Sequence, residues 1–348
     1  MRAITYHAPH DLRVERVPDP VLLAPTDALV RVRLAAICGS DLHVWHGRET
    51  GLDPGTVMGH EFLGEVVDKG AEVSRVRVGD LAVSPFTTSC GACFYCRQGL
   101  TARCARGQLF GWVERGAGLH GAQAELVRVP LAETTLLPLP PGLAPEAGLL
   151  LGDVLSTGHH AAVMAGAGPG TVAAVVGAGP IGLMAVLAAR ELGAEPIFAI
   201  DTVADRLELA ARLGAVPLHF ERTDPVAAVR EATGGRGADA ALEAVGSPAA
   251  ARLAFDLVRA GGTIAAVGVH HEAAFPFSPG EAYDRNLTIR IGRCPARQYM
   301  EALLPLAQRR QRELCSLFSH HVPLDEGPAA YRLFDEKRDG CIKVGLVY

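Results

Sequence analysis

TVAAVVGAGPIG, residues 171–182, decides the fold of this chain. TVAAVV has the unbroken apolar character of a strand that is buried on both faces, and the glycine-rich GAGPIG follows it directly. A helical stretch then runs to about residue 193, and PIFAI (196–200) predicts a second strand that ends at Asp201. A glycine turn between a strand and a helix, with an acidic residue after the next strand, predicts a dinucleotide-binding site.

The chemistry of this turn favours NAD(H) as the dinucleotide. Glycines let the backbone approach a pyrophosphate, and a helix N-terminus favours its negative charge. Asp201 can bind both adenosine ribose hydroxyls, and its carboxylate would repel the 2′-phosphate of NADP(H). The alternative is a glycine-rich turn beside a solvent-facing aspartate. The candidate cofactor-binding residues are Gly177, Gly179, Pro180, Ile181, Gly182, Asp201, Arg206, Thr157 and Val269.

Helical segments and short strands continue to alternate from Asp201 to about Cys294. Such a series predicts a parallel sheet covered by helices, so the fold class is α/β. The first 150 residues are β-rich, with strands predicted in 27–37, 63–70 and 78–85. The end of the chain predicts helices at 295–310 and 325–336 and a last strand, IKVGLVY. We expect the nucleotide domain, 154–293, to be an insertion in a β-rich domain made of 1–153 and 294–348.

Composition and charge limit the partners of the chain. A net charge of −5 argues against binding to nucleic acid or to an anionic membrane. Residues 161–189 carry no charge, but glycines and prolines divide them, so a buried strand is favoured over a membrane span. The first residues, MRAITYHAPHDLRVERV, have charges where a signal peptide needs an apolar run, so we expect a cytoplasmic protein.

Four of the eight cysteines lie within 90–104, with the spacing Cys90-x2-Cys93-x2-Cys96-x7-Cys104. Reducing conditions inside cells disfavour disulfides, and cysteines two residues apart can present thiolates to one ion. Four thiolates close the tetrahedral shell of zinc and leave no position for a substrate. The cluster therefore predicts a structural zinc site that holds a loop, and iron–sulfur ligation is the alternative.

Three further segments predict a second metal site: CGSDLH (38–43), GHE (59–61) and GDVLSTGHH (152–160). Taken singly, Cys38 can be a small buried residue, His60 a core histidine and Asp153 a helix cap. Together, and beside a closed zinc site and a dinucleotide fold, they favour a second zinc.

CGSDLH, GHE, the cysteine cluster, GDVLSTG and GAGPIG occur in the order found in the zinc-dependent medium-chain alcohol dehydrogenases, and the chain resembles this family over essentially its whole length. The resemblance implies a GroES-like catalytic domain that is split around a Rossmann domain. It also implies two zinc ions per chain, NAD as cofactor, and dimers or tetramers. For a chain of bacterial character we expect a homotetramer.

The resemblance assigns the catalytic zinc to Cys38, His60 and Asp153 and leaves the fourth position open. Many family members have cysteine where this chain has Asp153, and the chain matches a microbial branch with Cys-His-Asp ligands. His159 or His160 is the alternative to Asp153. Glu61 is interpreted first as a residue that supports the ligands and second as a transient ligand. Asp41 is interpreted as fixing the tautomer of the histidine ligand, and Lys343 as balancing the acidic charge.

The implied reaction is the reversible oxidation of a primary or secondary alcohol to an aldehyde or ketone, with hydride transfer from a zinc-bound alkoxide to NAD. By resemblance, Ser40 takes the alcohol proton and His43 passes it to solvent. Phe86, Trp112 and Cys294 align loosely with positions that face the substrate in relatives, although Trp112 is equally compatible with the core or an interface.

Two other functions remain open. GAQAELVRVPLA (121–132) resembles formaldehyde-dehydrogenase-like members, so a polyol, threonine or formaldehyde dehydrogenase of the same superfamily is one alternative. A non-catalytic, crystallin-like or regulatory protein on the same fold is the other. The intact ligand set argues against that last function.

Overall fold

A computed structural model describes residues 1–348 of the chain. The chain forms two compact units, one made of Met1–Ser156 and Pro295–Tyr348 and the other of Thr157–Cys294. We call them unit 1 and unit 2. Both ends of the chain therefore lie in unit 1, and unit 2 is inserted between them.

Residues 1–156 of unit 1 contain ten short strands, four α-helices and the start of a fifth. The strands are β1 (Arg2–Ala8), β2 (Asp11–Arg16), β3 (Ala28–Ala36), β4 (Thr56–Val57), β5 (Glu61–Lys69), β6 (Leu81–Ser84), β7 (Trp112–Glu114), β8 (Ala117–Leu119), β9 (Leu126–Val129) and β10 (Leu137–Pro138). The helices are α1 (Asp41–Trp45), α2 (Phe94–Arg97), α3 (Ala132–Thr135), α4 (Pro145–Leu150) and α5 (Val154–Ala165), which continues into unit 2. This part is β-rich, as the sequence predicts.

Unit 2 alternates strands and helices. The strands are β11 (Ala173–Val176), β12 (Ile197–Asp201), β13 (Val216–His219), β14 (Ala238–Glu243), β15 (Val258–Ala266) and β16 (Thr288–Ile291). The helices are α6 (Pro180–Glu191), α7 (Ala204–Arg212), α8 (Pro225–Ala232), α9 (Pro248–Leu257) and α10 (Pro279–Asp284).

The chain then returns to unit 1. Its last elements are α11 (Ala296–Arg309), α12 (Gln311–Cys315), β17 (Phe318–Pro323), α13 (Gly327–Glu336) and β18 (Lys343–Val347). The helix predicted at 325–336 begins at Gly327, because Leu324–Glu326 form a 3₁₀ turn before it.

The main sheet of unit 1 has the order β10-β6-β5-β3-β18-β17, and β9 also pairs with β3. β3 alternates buried and exposed positions at first and is fully buried over its last three residues. Its end pairs with the start of β5, with Ala36 opposite Glu61, and with β18, with Ala36 opposite Gly345. Residues just beyond these strand ends are therefore brought close together.

The sheet of unit 2 has the order β13-β12-β11-β14-β15-β16, and every neighbouring pair is parallel. All four residues of β11 are buried, which explains the unbroken apolar run in the sequence. From β11 the chain adds β12 and β13 on one side, and it then adds β14, β15 and β16 on the other side of β11. The strand order therefore reverses between β11 and β14. Ligands of open parallel sheets bind at such a reversal, outside the carboxyl ends of the strands.

The predicted α/β class, with a β-rich unit and an inserted unit built on a parallel sheet, is confirmed. None of the helices combines the length and the apolar character needed to cross a bilayer.

Candidate active site

The three predicted ligands of the catalytic metal meet in unit 1. Ligand atoms of Cys38, His60, Glu61 and Asp153 all lie within 4.8 Å of one another. Asp153 Oδ2 lies 3.7 Å from Cys38 Sγ and 3.4 Å from His60 Nε2. The alternatives to Asp153, His159 and His160, are not part of this cluster.

The sheet register explains why Cys38 and His60 meet. Cys38 comes two residues after the end of β3, and His60 comes immediately before the start of β5. Because β3 and β5 are antiparallel and Ala36 lies opposite Glu61, both ligands stand at the same edge of the sheet.

Asp153 reaches this edge because the backbone just before it packs closely on the backbone at the end of β6. The residue before it, Gly152, lies so close to the end of β6 that a Cβ there would be 2.2 Å from Ser84 O. Ser84 pairs with Phe62 of β5, next to the histidine ligand. Glycine at 152 is therefore what allows Asp153 to reach the other ligands.

The site contains several buried acidic side chains, and their burial shows whether the site is suited to a cation. Asp41 is 4% exposed, Glu61 1% and Asp153 6%. Burial, together with the carboxylates of Glu61 and Asp153, raises the pKa of the Cys38 thiol to about 11. Buried anions are costly unless a positive charge offsets them. One sulfur, one imidazole nitrogen and one carboxylate oxygen form a donor set that zinc binds, so the residues fit the implied ion.

One cation of the chain itself is buried at the site. Lys343 on β18 is 1% exposed, and its Nζ lies 2.9 Å from Glu61 Oε1 and 2.8 Å from Glu61 Oε2. The ammonium opposes the effect of burial, which raises the pKa of Glu61. Lys343 also donates to Ile37 O at 3.3 Å, so it ties Glu61 to the segment that leads into Cys38.

Asp41 contacts both the histidine and the cysteine segment. Its Oδ1 lies 3.2 Å from His60 Nδ1, and its Oδ2 accepts from Cys38 N at 3.0 Å. A carboxylate at Nδ1 fixes the tautomer in which Nε2 is free to bind a metal. The role interpreted for Asp41 from the sequence, fixing the tautomer of the histidine, requires a contact of this kind.

Two buried residues at the site have no signal in the sequence motifs. Gln123 Nε2 lies 3.4 Å from Asp41 Oδ2, and Tyr331 OH donates to Gln123 Oε1 at 2.8 Å. Both residues have 0% exposure. Gln123 belongs to GAQAELVRVPLA (121–132), which indicated only a family resemblance. Tyr331 lies 208 residues further along the chain. Backbone hydrogen bonds of Gln123 with Ile4 and Met58, and the packing of α13, bring them together.

The remaining predicted residues of unit 1 fall in different places. Ser40 Oγ lies 3.4 Å from His60 Nε2, and His43 is on α1, one turn beyond Ser40. The Phe86 ring stands edge-on to the His60 ring at 6.4 Å, so Phe86 borders the ligand cluster. Trp112, on β7, packs against the hydrophobic core of unit 1.

The cysteine loop brings its four sulfurs together. Ligand atoms of Cys90, Cys93, Cys96 and Cys104 all lie within 4.8 Å of one another, and none forms a disulfide. Backbone amides donate to the sulfurs, with Cys90 N 3.2 Å and Arg106 N 3.4 Å from Cys104 Sγ. Such hydrogen bonds, led by that from Cys96 N, lower the pKa of Cys93 to about 6. This favours the thiolate form of Cys93, the form that metals bind, whereas burial raises the pKa of Cys96 and Cys104.

In unit 2, the glycine turn between β11 and α6 has no room for side chains at two positions. A Cβ on Gly182 would lie 1.7 Å from Gly177 O, and Gly177 itself has φ +90°. At Gly179, by contrast, the nearest atom to a Cβ is Arg206 Nη1 at 3.7 Å, so the backbone there is open to a ligand. No side chain caps the start of α6, so its first amides can bind an anion.

Asp201 ends β12 beside this turn. Its Oδ2 accepts from Ala178 N at 2.7 Å, and its Oδ1 accepts from Thr202 N and Val203 N. The carboxylate therefore stands at the edge of the glycine turn, where the adenosine ribose of a dinucleotide would lie.

The other predicted cofactor and pocket residues of unit 2 are spread more widely. Arg206 and Thr157 are buried, whereas Val269 is exposed in the loop after β15. A Cβ on Gly246 would lie 2.3 Å from Val269 O, so the two loops approach each other closely. Cys294 is buried at the end of the unit.

Comparison with known proteins agrees with this geometry. Residues 24–141 match the alcohol dehydrogenase GroES-like domain, and residues 180–309 match the zinc-binding dehydrogenase domain. The chain is 41% identical to the zinc-type alcohol dehydrogenase B of Aspergillus flavus, over 96% of this chain and 79% of that protein.

Solved structures show the same fold. The alcohol dehydrogenase TADH from Thermus sp. ATN1 is 44% identical, with a TM-score of 0.93 over 100% of this chain and 99% of that chain. A protein described as a zinc-binding dehydrogenase from Sinorhizobium meliloti 1021, solved bound to NADP, is 26% identical. Its TM-score is 0.86 over 100% of this chain and 99% of that one.

Proposed function

The chain belongs to the zinc-dependent alcohol dehydrogenases of the medium-chain family, and from this premise we propose that it uses NAD to interconvert primary or secondary alcohols with aldehydes or ketones. The observation that carries this proposal is the meeting of Cys38, His60 and Asp153 in one buried, acidic cluster. Such a set supplies three ligands and leaves zinc one position for the alcohol.

Zinc held by these three residues would act as a Lewis acid that lowers the pKa of a bound alcohol. Side chains of unit 1 would transfer the proton and exclude water. Ser40 Oγ, 3.4 Å from His60 Nε2, stands next to the ligands and is the group that we assign to receive the alcohol proton. His43, on the same helix, would pass the proton towards solvent. Phe86 would exclude water from one side of the cluster.

Glu61 has two proposed states. Its ligand oxygen belongs to the cluster, yet both of its carboxylate oxygens lie within 3 Å of Lys343 Nζ. The lysine would hold Glu61 in a supporting role, and a short movement away from the ammonium would make it a transient ligand.

The second zinc of the proposal lies in the cysteine loop and has no catalytic part. Its four thiolates would complete the coordination shell, so no substrate can bind there. A cluster of thiolates persists best where thiols stay reduced, which supports a cytoplasmic location.

NAD rather than NADP is supported by the charge of Asp201. Its carboxylate stands beside Ala178 N and α6, where a 2′-phosphate would meet a negative charge. The glycines and open amides of the turn would bind the pyrophosphate, and Arg206, 3.7 Å from the Cβ position of Gly179, adds a positive charge there.

We also propose a homotetramer, with a dimer as the smaller alternative. β16 is an edge strand of the sheet in unit 2, so one side of its backbone is open to pairing. Phe275 and Tyr283, which line an apolar pocket with Ile289 of β16, are exposed. Light scattering should give the mass of four chains. A single-chain mass would contradict both forms.

A substrate panel tests the proposed reaction. Primary and secondary alcohols, polyols, threonine and formaldehyde would each be offered with NAD or NADP, and NADH formation followed by absorbance. We expect turnover of simple alcohols and at least a tenfold preference for NAD, which corresponds to about 1.4 kcal/mol. In Asp201→Gly this preference should narrow, because the repelling carboxylate is gone.

The other outcomes of the panel are equally informative. Turnover confined to polyols, threonine or formaldehyde would replace the proposed substrate with one of those classes. No turnover by protein that holds both zinc ions would contradict the enzymatic function and favour a non-catalytic role.

A further inference from the structure

Gln123 connects two chain segments that supply metal ligands. Its backbone N donates to Met58 O at 2.8 Å, and the neighbouring Ala122 N donates to Gly59 O at 3.0 Å. These bonds hold the chain immediately before His60. The side chain of Gln123 turns towards the other segment, where its Nε2 lies 3.4 Å from Asp41 Oδ2. One residue therefore spans both sides of the site.

Tyr331 selects the orientation of the Gln123 amide. Its hydroxyl donates to Gln123 Oε1 at 2.8 Å, so the oxygen of the amide faces the phenol. The NH₂ group must then face the Asp41 carboxylate, which can only accept hydrogen bonds when ionised. Without the phenol, Gln123 Oε1 would lose its hydrogen-bond donor, and the amide would be held only at its NH₂ end.

The surroundings leave Gln123 little freedom to move. A Cβ on Gly59 would lie 2.4 Å from Gln123 Cγ, and Gly59 has φ +92°. The glutamine side chain therefore packs directly on the backbone of the residue that precedes His60. Tyr331 is held by α13 and lies near the ring of Trp45 on α1, with centroids 6.0 Å apart. Both members of the pair are fixed by packing as well as by hydrogen bonds.

We propose that Gln123 and Tyr331 are positioning residues that, through Asp41, fix the orientation of His60 and so set the affinity of the catalytic metal. The phenol orients the amide, the amide orients the carboxylate, and the carboxylate orients the imidazole. The inference rests on the zinc site of the proposed function. It adds a role for two residues that contact neither metal nor substrate.

Residues that orient metal ligands have measurable effects on metal binding. Loss of such a partner costs about 10- to 100-fold in metal affinity in known sites. Gln123 contacts Asp41 directly, so its loss should fall within that range. Tyr331 bonds to the Gln123 amide at 2.8 Å and interacts more weakly with the Asp41 carboxylate itself, so its loss should have a smaller effect than the loss of Gln123.

The test uses the full chain loaded with zinc and compares Gln123→Met, Tyr331→Phe and the double variant with the unaltered protein. Tyr348→Phe is the matched control. Tyr348 OH donates to Ala122 O at 3.0 Å, one residue from Gln123, so this variant removes a similar phenol hydrogen bond close to the site. Zinc release to a chelator would be followed for both sites, and the visible spectrum would be recorded after Co²⁺ replaces the catalytic zinc.

We expect Gln123→Met to weaken the catalytic zinc by about tenfold or more, and Tyr331→Phe by less. The double variant should lose less metal affinity than the sum of the two single losses, because the phenol and the amide act on the same Asp41 carboxylate. The Co²⁺ spectrum should shift in the same variants. Tyr348→Phe, and zinc release from the cysteine loop in every variant, should be unchanged.

Three results would overturn the inference. One is release of the catalytic zinc at the original rate in both single variants. Another is a double variant whose loss is the sum of the two single losses. The third is an equal loss in Tyr348→Phe. If the unaltered protein binds only the zinc of the cysteine loop, the proposed function fails, and that result is distinct from these three.

Discussion

At the scale of single residues, Asp153 would set the charge of the proposed metal site. It is 6% exposed and lies beside Cys38 and His60, where many family members have a second cysteine. A carboxylate preserves the negative charge of a thiolate, so one thiolate, one carboxylate and a neutral imidazole balance a divalent ion.

Replacing Asp153 with alanine should empty one zinc site and leave the other. The variant loses a ligand of the catalytic site, whereas the cysteine loop keeps all four of its ligands. Elemental analysis should show zinc falling from about two ions per chain to about one. Asp153→Cys restores a ligand and should restore the second zinc. An exposed control, Asp325→Asn, should keep both ions, and loss of both in Asp153→Ala would contradict the assignment.

Ser40 should matter for proton transfer and not for metal binding. Ser40→Ala removes the hydroxyl 3.4 Å from His60 Nε2 and should lower kcat by about 10²- to 10⁴-fold, the usual contribution of a positioned acid or base. Zinc content should stay unchanged, and Ser40→Thr should retain much of the activity. A variant with normal turnover would remove Ser40 from the mechanism.

At the scale of elements, the turn between β11 and α6 depends on contacts that no side chain can replace. Gly182 lies against the backbone of Gly177, and that contact sets how closely the start of α6 approaches the end of β11. The same approach leaves the first amides of the helix open to a phosphate.

Gly182→Ala should therefore weaken NADH binding by at least tenfold, because a Cβ would lie 1.7 Å from Gly177 O and the turn must move. Fluorescence titration measures the dissociation constant, and zinc analysis reports on unit 1, which should be unaffected. Gly168→Ala is the matched control. The nearest atom to its Cβ is Leu192 O at 4.0 Å, so affinity there should stay normal. Equal affinity in both variants would count against the phosphate site.

At the scale of the whole molecule, Lys343 joins the C-terminal part of unit 1 to its N-terminal part. It starts β18 near the C-terminus, and its Nζ contacts Glu61 at the start of β5. Glu61 and Lys343 are each 1% exposed, so water does not solvate either charge.

Lys343→Met should lower the free energy of unfolding by about 3–5 kcal/mol, because it leaves a buried carboxylate without its partner. Urea titration measures this change. The double variant Glu61→Gln with Lys343→Met should recover part of the loss, since it removes both charges. Lys337→Met, at an exposed lysine, should stay within about 0.5 kcal/mol. No loss in Lys343→Met would mean that Glu61 is already neutral in the fold.

Local motifs predicted different parts of this molecule to different degrees. The α/β class followed from the alternation after residue 171, and the helix predicted at 295–310 corresponds to α11 at Ala296–Arg309. The cysteine spacing needed no tertiary information, because all four residues belong to one short loop. Cys38, His60 and Asp153 each had a plausible alternative, and their grouping was an expectation from family resemblance.

The sequence by itself determined what is carried by short-range chemistry: the cysteine loop, the glycine turn with Asp201 after the next strand, and the class of fold. Only the tertiary structure decided which distant groups share one site. The register of β3 against β5, the approach of Gly152 to Ser84 and the packing of α13 bring Asp153, Gln123, Tyr331 and Lys343 to the same strand ends. Such contacts depend on register and packing between segments far apart in the chain, and no local pattern encodes either.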